Sequence, residues 1–320
     1  MVKLAQAKKE PQKTKPYEGF LPIGCHVSAA GGVFNAPKNA AALGCETFQI
    51  FTRPPMGGPA PKIDDEVAAQ FKEEMAKYFP SPRPSPARGE GVSATTFVVH
   101  CPYFVNFGSG KKQLFHGSSA IVSGELKRAD MLGAKYTMTH LGSFKDLGPV
   151  EGMKQAREGL KKVLTEYEGK TQFLLEIAAG AGEVIGKNFE ELAELMELLV
   201  KFKTFGGICM DTQHAFSAGY DISTAETIKA TFTKFDKAIG LKWLKMSHVN
   251  DSKIDLGGRK DRHEHIGEGK IGEKGFGELL KYLDSKFSTL DSSVFPLILE
   301  TEHDKVEQDI EILKKLRNKI

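Results

Sequence analysis

Apolar and polar positions along this chain fall into two alternating kinds of stretch. Short, near-continuous apolar runs occur at Leu21–Val27, Thr47–Thr52, Thr96–His100, Tyr136–His140, Gln172–Glu176, Gly207–Asp211, Leu241–His248 and Pro296–Glu300. Between them, apolar residues recur at helical spacing. An Ala-rich stretch runs to about Leu43, and Asp64 reads as the N-cap of a helix to about Tyr78. Further helices are predicted over about Lys112–Leu132, Val150–Tyr167, Asn188–Lys201, Ser223–Ala238 and Glu273–Lys286, and from about Lys305 onward. Runs without alternation predict strands covered on both faces, hence a parallel sheet. Eight strand–helix alternations predict a single-domain α/β fold closed as a (β/α)8 TIM barrel over residues 21–320. A doubly wound open sheet fits less well, because no GxGxxG fingerprint follows the first run.

Three stretches fall outside this pattern. Residues 1–20 read as a solvated basic tail. Arg53–Pro61 (RPPMGGPAP) can be neither helix nor inner strand. Residues 80–95 are a low-complexity insert, expected to be an exposed, disordered loop. Composition changes this picture little. With 40% hydrophobic and 27% charged residues, the chain has the make-up of a soluble globular protein. A net charge of +3 is too mild to argue by itself for a polyanionic partner. Cys25, Cys45, Cys101 and Cys209 are scattered without a CxxC pair, so reduced core thiols are expected in an intracellular chain. No apolar run approaches the ~20 residues of a membrane span.

Candidate chemistry gathers where strands end. His100, His140, Glu176, Asp211, His248 and Glu300 each close a predicted strand, with His214 just after the sixth. The loop after the seventh, from Ser247 to Gly272, adds Asp261 and His263. In a barrel these ends converge on one mouth. Carboxylates so close together would repel one another and take up protons, and divalent cations remove that cost. Imidazole and carboxylate without thiolate suits zinc, and also manganese or iron. Nine candidate ligands exceed what one ion can use, so two or three metals are expected. Such clusters suit in-line phosphodiester displacement.

Several blocks carry a family resemblance. DTQHAFSAGYDI (Asp211–Ile222), HVND (His248–Asp251), RKDRHEHIGEG (Arg259–Gly269) and PLILET (Pro296–Thr301) resemble the signature blocks of the endonuclease IV family, the zinc-dependent apurinic/apyrimidinic (AP) endonucleases of base-excision repair. GCHVSAAGG (Gly24–Gly32), VVHCPY (Val98–Tyr103) and LLEIAAGAG (Leu174–Gly182) extend the match over most of the chain. The resemblance implies three zinc ions per chain, with manganese as a substitute. His100, His140 and Glu176 would hold the first, with Glu176 bridging to a second completed by Asp211, His248 and Glu300. His214, Asp261 and His263 would hold the third. It also implies that Glu176 and Glu300 are catalytic through the ions holding the attacking hydroxide, with cleavage 5′ to the abasic sugar leaving a 3′-hydroxyl.

The expected partner is double-stranded DNA carrying abasic sites, bound by a monomer. Tyr103 and Phe104 match the loop that supplies a wedge, Arg262 is placed for a phosphate, and Arg53 is the only such residue left in the Pro-rich loop. LGSF after His140 and EIAAGAG around Glu176 depart from the usual pattern. His26, His116 and His303 are expected to be structural, and His265 and Glu268 to support ligands or the fold. The competing enzyme reading is a xylose-isomerase-like sugar isomerase or epimerase with one divalent metal on Glu176, Asp211, His248 and Glu300. A non-catalytic DNA-damage binding protein is the third reading, and it would be expected to lack a ligand.

Overall fold

The computed structural model describes Tyr17 and residues 19–80, 95–288 and 294–320. The tail and most of the 80–95 insert therefore lie outside the described residues. The first half of the chain alternates β1 (Ile23–His26), α1 (Ala36–Ala42), β2 (Thr47–Ile50), α2 (Asp65–Tyr78), β3 (Phe97–His100), α3 (Lys112–Leu132), β4 (Tyr136–Thr139) and α4 (Gly148–Thr165). The second half runs β5 (Gln172–Glu176), α5 (Phe189–Leu199), β6 (Phe205–Asp211), α6 (Thr212–Ala218), α7 (Ala225–Ala238), β7 (Leu244–His248), β8 (Asp251–Ser252), β9 (His263–Glu264), α8 (Gly272–Phe287), β10 (Leu297–Leu299) and α9 (Val306–Arg317).

The staves close in the order β1-β10-β7-β6-β5-β4-β3-β2, and every pairing is parallel. This is the (β/α)8 TIM barrel that the alternating runs predict. Residues of the same strands divide between two cores. Val98, Tyr136, Met138, Leu174, Cys209, Met246 and Ile298 fill the barrel interior. Their neighbours, among them Phe48, Val99, Phe173, Leu175 and Ile208, pack outward against the helices. Both strand faces are covered, which is why the runs read as continuously apolar. Asp64 caps α2 as predicted, its side chain accepting from Val67 N at 3.1 Å.

Three local features depart from expectation. The seventh stave begins at Leu244, because Leu241–Trp243 forms a 3-10 turn after Gly240, whose φ is 96°. A seven-residue helix, α6, follows β6 directly. The long loop after β7 folds back as a two-stranded antiparallel hairpin, pairing Asp251 with Glu264 and Ser252 with His263. Among the described residues no helix is long and apolar enough to cross a membrane.

Candidate metal centre

The nine predicted ligands surround one mouth at the C-terminal ends of the staves. Glu176, fully buried at the end of β5, is their hub. Its Oε2 faces His100 Nε2 at 3.4 Å and His140 Nδ1 at 3.6 Å, and its Oε1 faces His248 Nδ1 at 2.8 Å and His214 Nδ1 at 3.5 Å. His248 Nδ1 also lies 3.3 Å from Glu300 Oε2 and 3.8 Å from Asp211 Oδ2. His263 Nε2 is 3.6 Å from Asp211 Oδ2 and 3.4 Å from Asp261 Oδ1, while His214 Nε2 is 3.4 Å from Asp261 Oδ2.

Local folding explains these positions. Asp211 ends β6 and caps α6, its Oδ1 accepting from His214 N at 2.8 Å. That bond sets His214 one turn into the helix, with its ring beside the carboxylate that caps it. The pattern Asp-Thr-Gln-His carries this N-cap signal. His263 is brought over by the hairpin, and Asp261 sits just before it with its side chain 56% exposed.

Two buried carboxylates hold that loop. Asp251 accepts from the amides of Ser252, Gly267, Gly269, Ile271 and Gly272 at 2.8–3.1 Å. Asp309, on α9, accepts from His265 Nδ1 and Thr301 Oγ1, both at 2.7 Å, and from Ile266 N at 2.9 Å. His265 Nε2 lies 3.2 Å from Asp304 Oδ1. Both of its nitrogens thus face partners away from the mouth, in line with the supporting part expected of it.

Charges interlock throughout the cluster. Burial alone would raise the Glu176 pKa, but the His140 and His248 imidazoles beside it hold it well below the usual carboxylate range. Glu300, mostly but not fully buried, is likewise held low despite the opposing effect of burial, chiefly by His248. Burial would lower His214, yet Asp211, Asp261 and Glu176 carry it from 6.5 up to about 10. Burial pushes the Cys209 thiol up to about 12, so it stays protonated and is a poor ligand despite its place beside Glu176 and His248.

The donor set fits divalent cations. Buried polar atoms almost always find a partner. Here Glu176 Oε2, His100 Nε2, His214 Nε2 and His263 Nε2 are buried without a hydrogen bond among the described residues, and all face this cluster. Three groups each bring ligand atoms within 4.8 Å of one another: His100, His140 and Glu176; Glu176, Asp211, His248 and Glu300; and Asp211, His214 and His263. The third group substitutes Asp211 for Asp261, which lies beside both histidines.

Two site residues were not singled out from sequence. Gln49 lies inside β2, between Phe48 and Ile50, and is fully buried. Its Oε1 is 2.8 Å from His248 Nε2, and its Nε2 is 2.6 Å from Glu300 Oε1 and 3.0 Å from His26 Nδ1. Asn250 donates to Asp211 Oδ2 at 2.7 Å and accepts from Glu300 N at 2.7 Å. A lone amide in an otherwise apolar strand was the available signal for Gln49. For Asn250 it was a polar pair directly after a buried strand.

The rim is aromatic and basic. A cavity of about 630 Å³ opens over the cluster, lined in part by Phe51, Met56, Tyr103, Arg262 and His303. Tyr103 is 47% and Phe104 36% exposed. Arg262, exposed, lines the same cavity as Tyr103, with one guanidinium nitrogen donating to Asp261 O at 2.7 Å. Arg53 is turned inward. Its Nε donates to the buried Glu125 Oε1 at 2.9 Å and its side chain is only 16% exposed. It tethers the Pro-rich loop inward together with Arg128, which donates to Thr52 Oγ1 and Pro61 O. A buried carboxylate claims such a guanidinium more strongly than water does.

Comparison with known proteins agrees with this geometry. A family model described as a xylose isomerase-like TIM barrel matches residues 37–316. "Probable endonuclease 4" of Aquifex aeolicus (strain VF5) is 39% identical over 280 residues, covering 87% of this chain and 91% of that one. "Probable endonuclease 4" of Nitrosopumilus maritimus (strain SCM1) is 36% identical over 301 residues, covering 93% and 99%. The crystal structure of endonuclease IV from Thermus thermophilus superposes with a TM-score of 0.75 at 27% identity, covering 93% of this chain and 100% of that chain. By descent as well as by fold, this chain belongs to the endonuclease IV family of xylose isomerase-like TIM barrels.

Proposed function

We propose that this chain is an AP endonuclease of DNA base-excision repair, hydrolysing the phosphodiester 5′ to an abasic site and leaving a 3′-hydroxyl. The observation that carries the reading is the set of unpartnered buried nitrogens and oxygen facing one mouth, in a chain whose relatives are named endonuclease 4.

His100, His140 and Glu176 would hold a first zinc ion. Glu176, Asp211, His248 and Glu300 would hold a second, and His214, Asp261 and His263 a third. When bound, such ions lower the pKa of water and offset negative charge on both the attacking and the leaving oxygen. The protein's own part is orientation. Gln49 and Asn250 fix the rings and carboxylates of His248, Glu300 and Asp211. Asp251 and Asp309 fix the loop that carries Asp261 and His263. Without cations the carboxylates of this cluster would repel a phosphate, and Arg262 and Lys253 are positive side chains lining the same mouth. Tyr103 and Phe104 offer exposed aromatic faces on which bases at the lesion can stack.

Incision of a duplex carrying one abasic site, with and without a chelator, tests the reading. Metal-loaded protein is expected to nick on the 5′ side and chelated protein to be inert. Failure of fully metallated protein to nick sinks the proposal.

A further inference from the structure

His26 ends β1, one of two staves that contribute none of the nine candidate ligands. Its side chain is almost completely buried, stacked obliquely on Phe51 with ring centroids 4.3 Å apart. Nδ1 is 3.0 Å from Gln49 Nε2 and 3.8 Å from Glu300 Oε1. Nε2 is buried and has no hydrogen-bond partner among the described residues, and the residue lines the mouth cavity.

The neighbours dictate where its proton sits. His248 turns Nδ1 toward Glu176, Glu300 and Asp211, so Nε2 on the far side is the N–H that donates to Gln49 Oε1. That bond orients the Gln49 amide. Its oxygen meets His248, and its NH₂ group donates to Glu300 Oε1 and His26 Nδ1. A ring nitrogen that accepts an N–H carries no proton itself, so neutral His26 bears its hydrogen on Nε2. The relay leaves one donor held at the mouth with nothing among the described residues to receive it. A buried orphan donor is costly, and an acceptor arriving with a ligand removes the cost.

We infer that His26 is a further catalytic residue of this site: its Nε2–H donates to a non-bridging oxygen of the phosphodiester bound in the mouth. The proposal rests on the endonuclease reading and deepens it. No bond to His26 forms or breaks and no proton is transferred. The donor stabilises charge that grows on that oxygen during displacement, and its position is set before substrate arrives.

Two measurements test this. In ¹⁵N-histidine spectra of the metal-loaded protein, His26 is expected to show the Nε2–H tautomer, with its resonance shifting on addition of dimethyl phosphate. An Nδ1–H tautomer, or no shift at saturating phosphodiester, overturns the proposal whether or not the protein nicks DNA. In incision assays, His26→Ala and His26→Asn are expected to lose roughly 10- to 100-fold in kcat with little change in KM. His26→Gln should recover most of the loss, since its amide nitrogen reaches the Nε2 position and that of Asn does not. Unchanged kcat in His26→Ala refutes the role, as does a loss matched by loss of metal. A wild-type protein that fails to nick counts against the endonuclease reading, while the tautomer and phosphodiester shift still decide the fate of the donor.

Discussion

The carboxylate of Asp251 occupies the space that a side chain on Gly269 would need. A Cβ on Gly269 would collide with Asp251 Oδ1 and lie 2.6 Å from its Cγ, while the glycine amide donates to Oδ2 at 3.1 Å. Gly269→Ala therefore has to push the carboxylate off several amides at once. Asp251→Asn replaces one acceptor with a donor facing N–H groups. Each is expected to cost about 3 kcal/mol in urea unfolding of the metal-free protein. Stability within experimental error of wild type would show that the loop does not depend on this carboxylate.

Metal stoichiometry separates this site from a single-metal isomerase. Elemental analysis of purified protein is expected to give about three divalent metals per chain, the number implied by nine ligands at ~3–4 each with sharing. His263→Ala should lose one of them and most incision activity, with the other two retained. A wild-type value near one metal per chain would instead favour the sugar-isomerase alternative.

The pH dependence of the metal-free chain follows from opposed shifts. His214 is raised from 6.5 to about 10, so its stabilising contribution is complete below pH 6.5 and lost as pH rises through 10. Glu300 is depressed, so its contribution is complete above pH 4.5 and lost as pH falls through its folded value. The metal-free Tm should therefore fall as pH is raised from 6.5 toward 10, and metal-loaded protein should lack that decline. Titration at neutral pH in buffers of different ionisation enthalpy should show at least one proton released per chain on metal binding. Zero release would contradict a protonated His214.

Stacking at the rim predicts a selective binding defect. Tyr103→Ala is expected to weaken binding of an abasic duplex by roughly 5- to 150-fold in chelated protein, where no cleavage intervenes, and Tyr103→Trp to preserve it. Fluorescence anisotropy reads the affinity. An unchanged Kd would remove Tyr103 from the DNA surface.

How far the site could be read in advance depended on whether a residue's job is local. His100, Glu176, Asp211 and His248 were legible because each ends an apolar run, and a barrel brings strand ends together. Gln49 was not, because its partners His248 and Glu300 lie 199 and 251 residues away. No local pattern encodes such a bond. The inward tether of Arg53 was hidden for a related reason. An arginine in a Pro-rich loop reads as exposed until Glu125, on a distant helix, is seen to claim it. The hairpin of β8 and β9 escaped notice because strands of two residues carry no periodicity.

Asp309 has a consequence for the order in which the enzyme can come into being. The carboxylate that secures His265, Ile266 and Thr301 belongs to α9, which follows the whole barrel in chain order. All nine candidate ligands are translated before it. A nascent chain can therefore hold every ligand while the loop bearing Asp261 and His263 still lacks one of its two anchors. That loop is then secured only once α9 has emerged, after every ligand position is already in place along the chain.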